Sequence, residues 1–216
     1  MNRFKNQKWK IIITSIISLC PTILGLLFWN ELPEQIPTHY GINGPDAYGP
    51  KSFYVFFFGG LMLLIHIGLL YFTGKDPKNA NVSDRVMSIT IWAVPVVSLF
   101  TSLTLYAQAL NWPLEINRAV NILMAVIFLV AGNYLPKCRQ NHTIGIRLPW
   151  TLRDADNWNR THRLGGYVFM AAGALLLLAL LLPKSWFAGF SLFVTLCAVL
   201  LPVIYSYSLS RRRESK

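Results

Sequence analysis

Six stretches of this chain contain no Asp, Glu, Lys or Arg: residues 11–29, 53–72, 86–110, 119–135, 164–182 and 186–207. Each is 17 to 25 residues long, which is what an apolar helix needs to cross the roughly 30 Å hydrocarbon core of a bilayer. A charge at the bilayer centre costs at least about 2.5 kcal/mol, so the exclusion of all four charged types from six successive runs reads as six membrane spans. The soluble alternative, six helices buried in one core, fails on size. Of 216 residues, the 94 outside the runs fall into seven pieces, the longest of 28 residues. Pieces below about 40 residues rarely build a core alone. The expectation is an all-α integral membrane protein: a six-transmembrane-helix bundle forming a single membrane domain over residues 1–216, with no soluble catalytic or DNA-binding domain.

The Lys and Arg residues outside the runs set the expected orientation, because cytoplasmic loops retain them. The N-terminal tail carries Arg3, Lys5, Lys8 and Lys10; loop 2 carries Lys75, Lys78 and Arg85; the C-terminal tail carries Arg211, Arg212, Arg213 and Lys216. Loop 4 carries Lys137, Arg139, Arg147, Arg153, Arg160 and Arg163, whereas the alternate loops hold only Lys51, Arg118 and Lys184. This split of 17 to 3 predicts that both termini are cytoplasmic and that loops 1, 3 and 5 lie outside. The first run is longer than a signal-peptide apolar region and no A-x-A-like site follows it, so it reads as an uncleaved first span. The net charge of +11 then reflects topology and attraction to anionic lipid. Direct nucleic-acid binding is not expected, since the cations are spread over four separate pieces.

The spans offer little chemistry. Pro21, Pro95 and Pro202 are candidate kinks, and Gly59, Gly60, Gly165, Gly166 and Gly173 are candidate close-approach points. His66, Gln108, Asn121 and Asn133 are the polar side chains that stand out. His66 reads as a neutral imidazole hydrogen-bonded to a neighbouring helix, and the four together are the visible material for the alternative function, a small transporter or permease subunit. No buried carboxylate accompanies them. Paired carboxylates, an H-x-x-x-H site and a nucleophile–base set are all missing from the spans, so no catalytic residue, metal or cofactor is expected. Three cysteines, Cys20, Cys138 and Cys197, lack C-x-x-C spacing and suggest neither a disulfide framework nor a zinc site.

Two loops carry the information. Loop 1, residues 30–52, is dense in proline and glycine, which specifies defined turns. Thr38, His39 and Tyr40 can form a short extended piece, and Gly44-Pro45-Asp46 a turn. His39, Tyr40, Asp46, Tyr48 and Lys51 offer donors, acceptors and flat faces to a ligand. Loop 4, residues 136–163, holds Thr151 followed three residues later by Asp154, a capping-box spacing that predicts an interfacial helix starting there. Trp158 and His162, four apart, share a helical face. Trp150, Trp158 and the arginines suit the headgroup zone, and the loop is a candidate docking surface for a cytoplasmic partner.

These two loops make the chain resemble the SdpI family of bacterial membrane immunity proteins. Residues 32–52, LPEQIPTHYGINGPDAYGPKS, look like that family's N-terminal domain of unknown function, with LP, IPTH, a turn with Asp and GxK in order. Residues 132–166, GNYLPKCRQNHTIGIRLPWTLRDADNWNRTHRLGG, look like its signature: a GN-x-L-PK start, an N-x-x-IGIR-x-PWTL core and a W-x-x-THR-x-GG end. Leu148 departs from the Thr common in that core. On this resemblance the signature residues are Asn133, Pro136, Lys137, Asn141, Gly145, Arg147, Pro149, Trp150, Thr151, Trp158, Thr161, His162 and Arg163. The resemblance implies a non-enzymatic role in the bacterial cell membrane. The implied partners are a secreted toxic peptide outside, against which the protein protects, and a cytoplasmic transcriptional autorepressor held at the membrane inside.

Overall fold

The computed structural model describes Phe4, residues 7–41 and residues 44–214. Arg3, Lys5 and Lys216 of the orientation count lie outside the described residues. Among the described residues, five helices are long and apolar enough to span a membrane: Phe53–Lys75, Asp84–Ala109, Ile116–Lys137, Ala155–Ala179 and Lys184–Arg212. The first apolar run instead forms two helices, α1 (Lys8–Ser18) and α2 (Cys20–Leu27), bent by 52°. Pro21 sits in the first turn of α2, where its missing N–H is tolerated but the preceding helix cannot run through it. Pro95 and Pro202, by contrast, lie inside unbroken helices. Large apolar side chains such as Leu64, Phe72, Leu181 and Phe193 point outward and are exposed. A water-soluble protein rarely shows so continuous an apolar surface; a bilayer covers it.

The chain packs as two compact units: Met1–Lys75 with Met87–Glu115, and Asp76–Val86 with Ile116–Lys216. In the first unit the chain leaves α2 for a two-stranded antiparallel hairpin, β1 (Gln35–Gly41) and β2 (Gly44–Pro50), paired from Gln35 opposite Pro50 to Gly41 opposite Gly44. The all-α expectation therefore misses a sheet, and Gly44-Pro45-Asp46, expected as a turn, belongs to β2. Both strands are edges, so Pro37, Pro45 and Pro50 are accommodated without breaking a central ladder. The register slips between Pro37 and Tyr40. A π-helical turn, Phe53–Phe58, then leads into α3 (Gly59–Lys75). Leu32, Ile36, Val55, Tyr106 and Ala109 form the core beneath the hairpin, Tyr106 coming from α4 (Asp84–Ala109). The Tyr106 hydroxyl donates to the Pro21 carbonyl at 2.5 Å, and Thr22 donates to the Val55 carbonyl at 2.6 Å. Gly59 packs directly on Thr22, while a side chain on Gly60 would meet open space; only the first of this glycine pair permits close approach.

The second unit is built from α5 (Ile116–Tyr134), the short α6 (Pro149–Arg153), α7 (Ala155–Ala179) and α8 (Lys184–Glu214). Its core is Ala125, Phe128, Ala172, Leu176, Val194 and Ala198. Small residues let α5 and α7 touch nearly backbone to backbone. A Cβ on Gly132 would sit 2.7 Å from the Met170 nitrogen, and one on Gly173 2.8 Å from the Ala125 carbonyl oxygen. The polar residues of the spans are held locally. Asn121 donates to the Leu176 carbonyl at 2.6 Å, and fully buried His66 lies 3.1 Å from the Thr14 hydroxyl. Gln108 donates to the Leu114 carbonyl, and Asn133 accepts from Lys137.

Candidate functional site

The hairpin rests on one buried cation. Lys51, 7% exposed, donates to the Trp29 carbonyl at 3.0 Å and the Leu32 carbonyl at 3.1 Å, and its ammonium lies 3.1 Å from the Glu34 carboxylate. Its main-chain N–H donates to the Glu34 carbonyl, and its charge lies over the Trp29 ring. A buried charge demands this much compensation. Lys51 thus closes the loop at its base, where its donors are already engaged. Tyr40 also turns inward. Burial, with Tyr48 and Tyr54 adding to it, pushes its phenol up to about 12, so it stays neutral.

The outer face of the hairpin is different. His39 and Asp46 meet across the two strands, Nδ1 to Oδ1 at 2.5 Å, with their side chains 69% and 53% exposed. Tyr48 is exposed nearby on β2. Of the five residues expected to meet a ligand, the structure leaves His39, Asp46 and Tyr48 on the surface and commits Tyr40 and Lys51 to the loop. The pairing of His39 with Asp46 depends on the strand register, which composition alone does not give.

In the second unit, residues 138–163 fold around buried polar groups. Asn141 is fully buried. Its amide donates to the carbonyls of Arg139 and Ile144, and its side-chain oxygen accepts the N–H groups of Thr143 and Ile144. The turn that follows needs glycine: Gly145 has φ +114°, and a Cβ there would collide with the His162 ring. The His162 ring stacks on the Trp158 ring, centroids 3.9 Å apart. Its Nε2 accepts the Ile146 N–H at 3.0 Å, so its Nδ1 carries the hydrogen and donates to the Trp158 carbonyl at 2.8 Å. The Trp158 indole donates to the Cys138 carbonyl. Burial also pushes the Cys138 thiol up, leaving it protonated.

The capping expectation is corrected here. Pro149 opens the five-residue α6, in which Thr151 sits in the first turn and its hydroxyl accepts the Leu148 N–H at 2.8 Å. The long helix starts after Asp154, whose carboxylate accepts the N–H groups of Asp156 and Asn157 at 2.8 and 3.2 Å. Asp154 has an extended backbone and one carboxylate oxygen, Oδ1, that accepts both N–H groups, so the acid caps and the hydroxyl staples the preceding turn.

Three residues outside the expected set complete the arrangement. Asn157 on α7 donates to the Ser206 carbonyl, and its side-chain oxygen accepts both Thr161 and Ser206. Ser206 in turn accepts the Trp150 indole N–H, so the signature residues Trp150 and Thr161 are tied together through α8. Asp76, from the segment before α4, accepts the His142 N–H at 2.8 Å, the Lys78 N–H and the Thr143 hydroxyl. Burial alone would raise its carboxyl, but these hydrogen bonds outweigh burial and hold it below the usual range. A lone Asp 66 residues before His142 gives no sequence signal for this. Pro136 packs on Gly166, and Lys137 lies over the Tyr134 ring. Arg147 is exposed, donating to the His142 carbonyl, and Arg163 is exposed on α7.

The SdpI/YfhL protein family matches residues 137–206, and a domain of unknown function (DUF1648) matches residues 16–63. The first covers the polar network except Asp76, together with α7 and α8 as far as Ser206; the second covers the α1–α2 bend, the hairpin and the π turn. The chain is similar to the immunity protein SdpI of Bacillus subtilis (strain 168), 24% identical over 200 residues that cover 90% of this chain and 93% of that protein. No solved structure matches.

Proposed function

The chain belongs to the SdpI/YfhL protein family, and from that premise we propose that it is a multi-pass immunity protein of the bacterial cell membrane, protecting against a secreted toxic peptide. In this reading α1 and α2 form one bent span, giving six, with both termini cytoplasmic as the Lys and Arg distribution favours. The hairpin then faces the side from which a secreted peptide arrives. The observation that carries the reading is the exposed His39–Asp46 pair, presented on a hairpin whose base is fixed by Lys51. A rigid scaffold under exposed polar groups is how recognition loops are commonly built.

The peptide contacts His39, Asp46 and Tyr48, and a change in helix packing passes the signal to residues 138–163. Binding shifts such an equilibrium only by its differential affinity for the two states. On the cytoplasmic side the exposed Arg147 is the natural contact for an autorepressor held at the membrane.

The test is survival of a sensitive bacterium expressing the chain under challenge with SDP-type toxic peptides. The wild type protects, and His39→Ala combined with Asp46→Ala loses protection at equal membrane level. Absence of protection by the wild type against every such peptide removes the immunity reading.

A further inference from the structure

Helices α7 and α8 enclose an open cleft of about 630 Å³ lined by polar and aromatic residues, among them Arg160, Arg163, Tyr167 and Tyr205. The cleft lies where the polar start of α7 gives way to its apolar run, which begins at Leu164. Arg160, Arg163 or Leu164, and Tyr167 recur at helical spacing and line one face. At 1.5 Å per residue, Arg163 and Tyr167 are separated by about 6 Å along the axis. The α7 wall therefore begins with Asp156 and the two arginines and ends one turn after Arg163 at the Tyr167 phenol, with Leu164 between them, so a cation lies at its polar end and aromatic and aliphatic surface towards the apolar run. Tyr205 lines the opposite wall from α8, whose apolar run ends two residues later, before Arg211 and Arg212.

The two arginines are not equivalent. Arg160 Nε is paired with Asp156 at 2.9 Å, one turn back on the same helix. Arg163 is exposed, and among the described residues no carboxylate lies in salt-bridge range of it. It is thus an uncompensated guanidinium at headgroup depth, with donors in the planar fork that matches phosphate oxygens. We propose that this cleft binds the headgroup of an anionic glycerophospholipid, with Arg163 on the phosphate and Tyr167 and Tyr205 along the glycerol region. A single Lys or Arg near an anionic membrane surface contributes about 1 kcal/mol, so Arg163 accounts for roughly a fivefold preference over zwitterionic lipid. The proposal does not depend on the immunity reading, because neither the hairpin nor a toxic peptide enters it.

The experiment is native mass spectrometry of the full chain in detergent with phosphatidylglycerol or phosphatidylcholine added. The wild type retains phosphatidylglycerol about fivefold over phosphatidylcholine. Arg163→Gln removes the preference, Arg163→Lys keeps most of it, and Arg118→Gln, in the first turn of α5, leaves it unchanged. Arg163 is exposed and makes no ion pair among the described residues, so melting temperatures of the variants stay within a degree or two of wild type, which separates lost binding from lost folding. Equal retention of the two lipids by the wild type, or an undiminished preference in Arg163→Gln, overturns the proposal. Displacement of the lipid by millimolar inorganic phosphate also overturns it, because the site would then serve a soluble anion.

Discussion

The hairpin and residues 138–163 use their polar side chains in opposite ways. On the hairpin, His39, Asp46 and Tyr48 face outward, and a single buried cation, Lys51, fixes the base. In residues 138–163 the polar groups face inward: Asn141, Thr151, Asn157, Trp158, Thr161 and His162 are all buried and hydrogen-bonded to one another or to main chain. The difference separates two reasons why a motif is ordered. One arrangement leaves chemistry available to a partner. The other determines the shape of a loop, and what it offers outward is a rim of basic side chains: Arg139, His142, Arg147, Arg153, Arg160 and Arg163.

The largest expected effect tests the inward arrangement. Gly145→Ala places a Cβ against the His162 ring at a positive φ, and strain of this kind with a steric clash costs about 3 kcal/mol or more. Thermal melting in detergent should show a large loss, and a change of only a degree or two would mean that the His162–Trp158 stack is not what holds the turn. A smaller loss, about 2 kcal/mol, is expected for Lys51→Met, which leaves the Trp29 and Leu32 carbonyls without their donor. Proteolysis at the hairpin reports it directly: cleavage within residues 30–52 should accelerate while the melting of the rest changes little. Unchanged cleavage would show that the hairpin stands without its buried cation.

A third expected effect is pH-dependent. Because the Asp76 carboxyl is held below its ordinary range, its contribution is fully present above that range and is lost as pH falls through the lowered value. Asp76→Asn should therefore cost about 1–2 kcal/mol near neutrality, and the gap from wild type should close in acid. A gap that persists unchanged at low pH would mean that the residue acts through packing and not through its charge.

The two regions also differ in how far the sequence reveals them. Five long apolar helices were legible because the bilayer excludes charge, whereas the first apolar run is helical but bent by 52° between α1 and α2, which its lack of charge does not reveal. The contact glycines 165, 166 and 173 were legible because helix crossings favour small residues. The hairpin was not, since proline and glycine density signals turns whether or not the flanking segments pair, and pairing is a non-local matter. The start of α7 was misplaced by the Thr151 spacing because Asp154, a stronger cap, stands three residues on. Asp76, Asn157 and Ser206 escaped notice for one reason: each acts through a partner 49 or more residues away, and no local pattern records such a contact. Lys51 was expected as a ligand contact of loop 1, and its burial follows from two carbonyls and Glu34, all just after α2, converging on it immediately before the π-helical turn.

The smallest effect on stability is expected from the outward pair, and it carries the central claim. His39 and Asp46 are more than half exposed, so removing them together should cost under about 1 kcal/mol. The decisive measurement is binding of a labelled SDP-type toxic peptide to the full chain in lipid nanodiscs, compared with His39→Ala/Asp46→Ala. The account predicts saturable binding by the wild type, weakened at least about tenfold in the double variant, equivalent to about 1.4 kcal/mol, with both proteins melting together. Equal binding by the two proteins would contradict recognition at the hairpin.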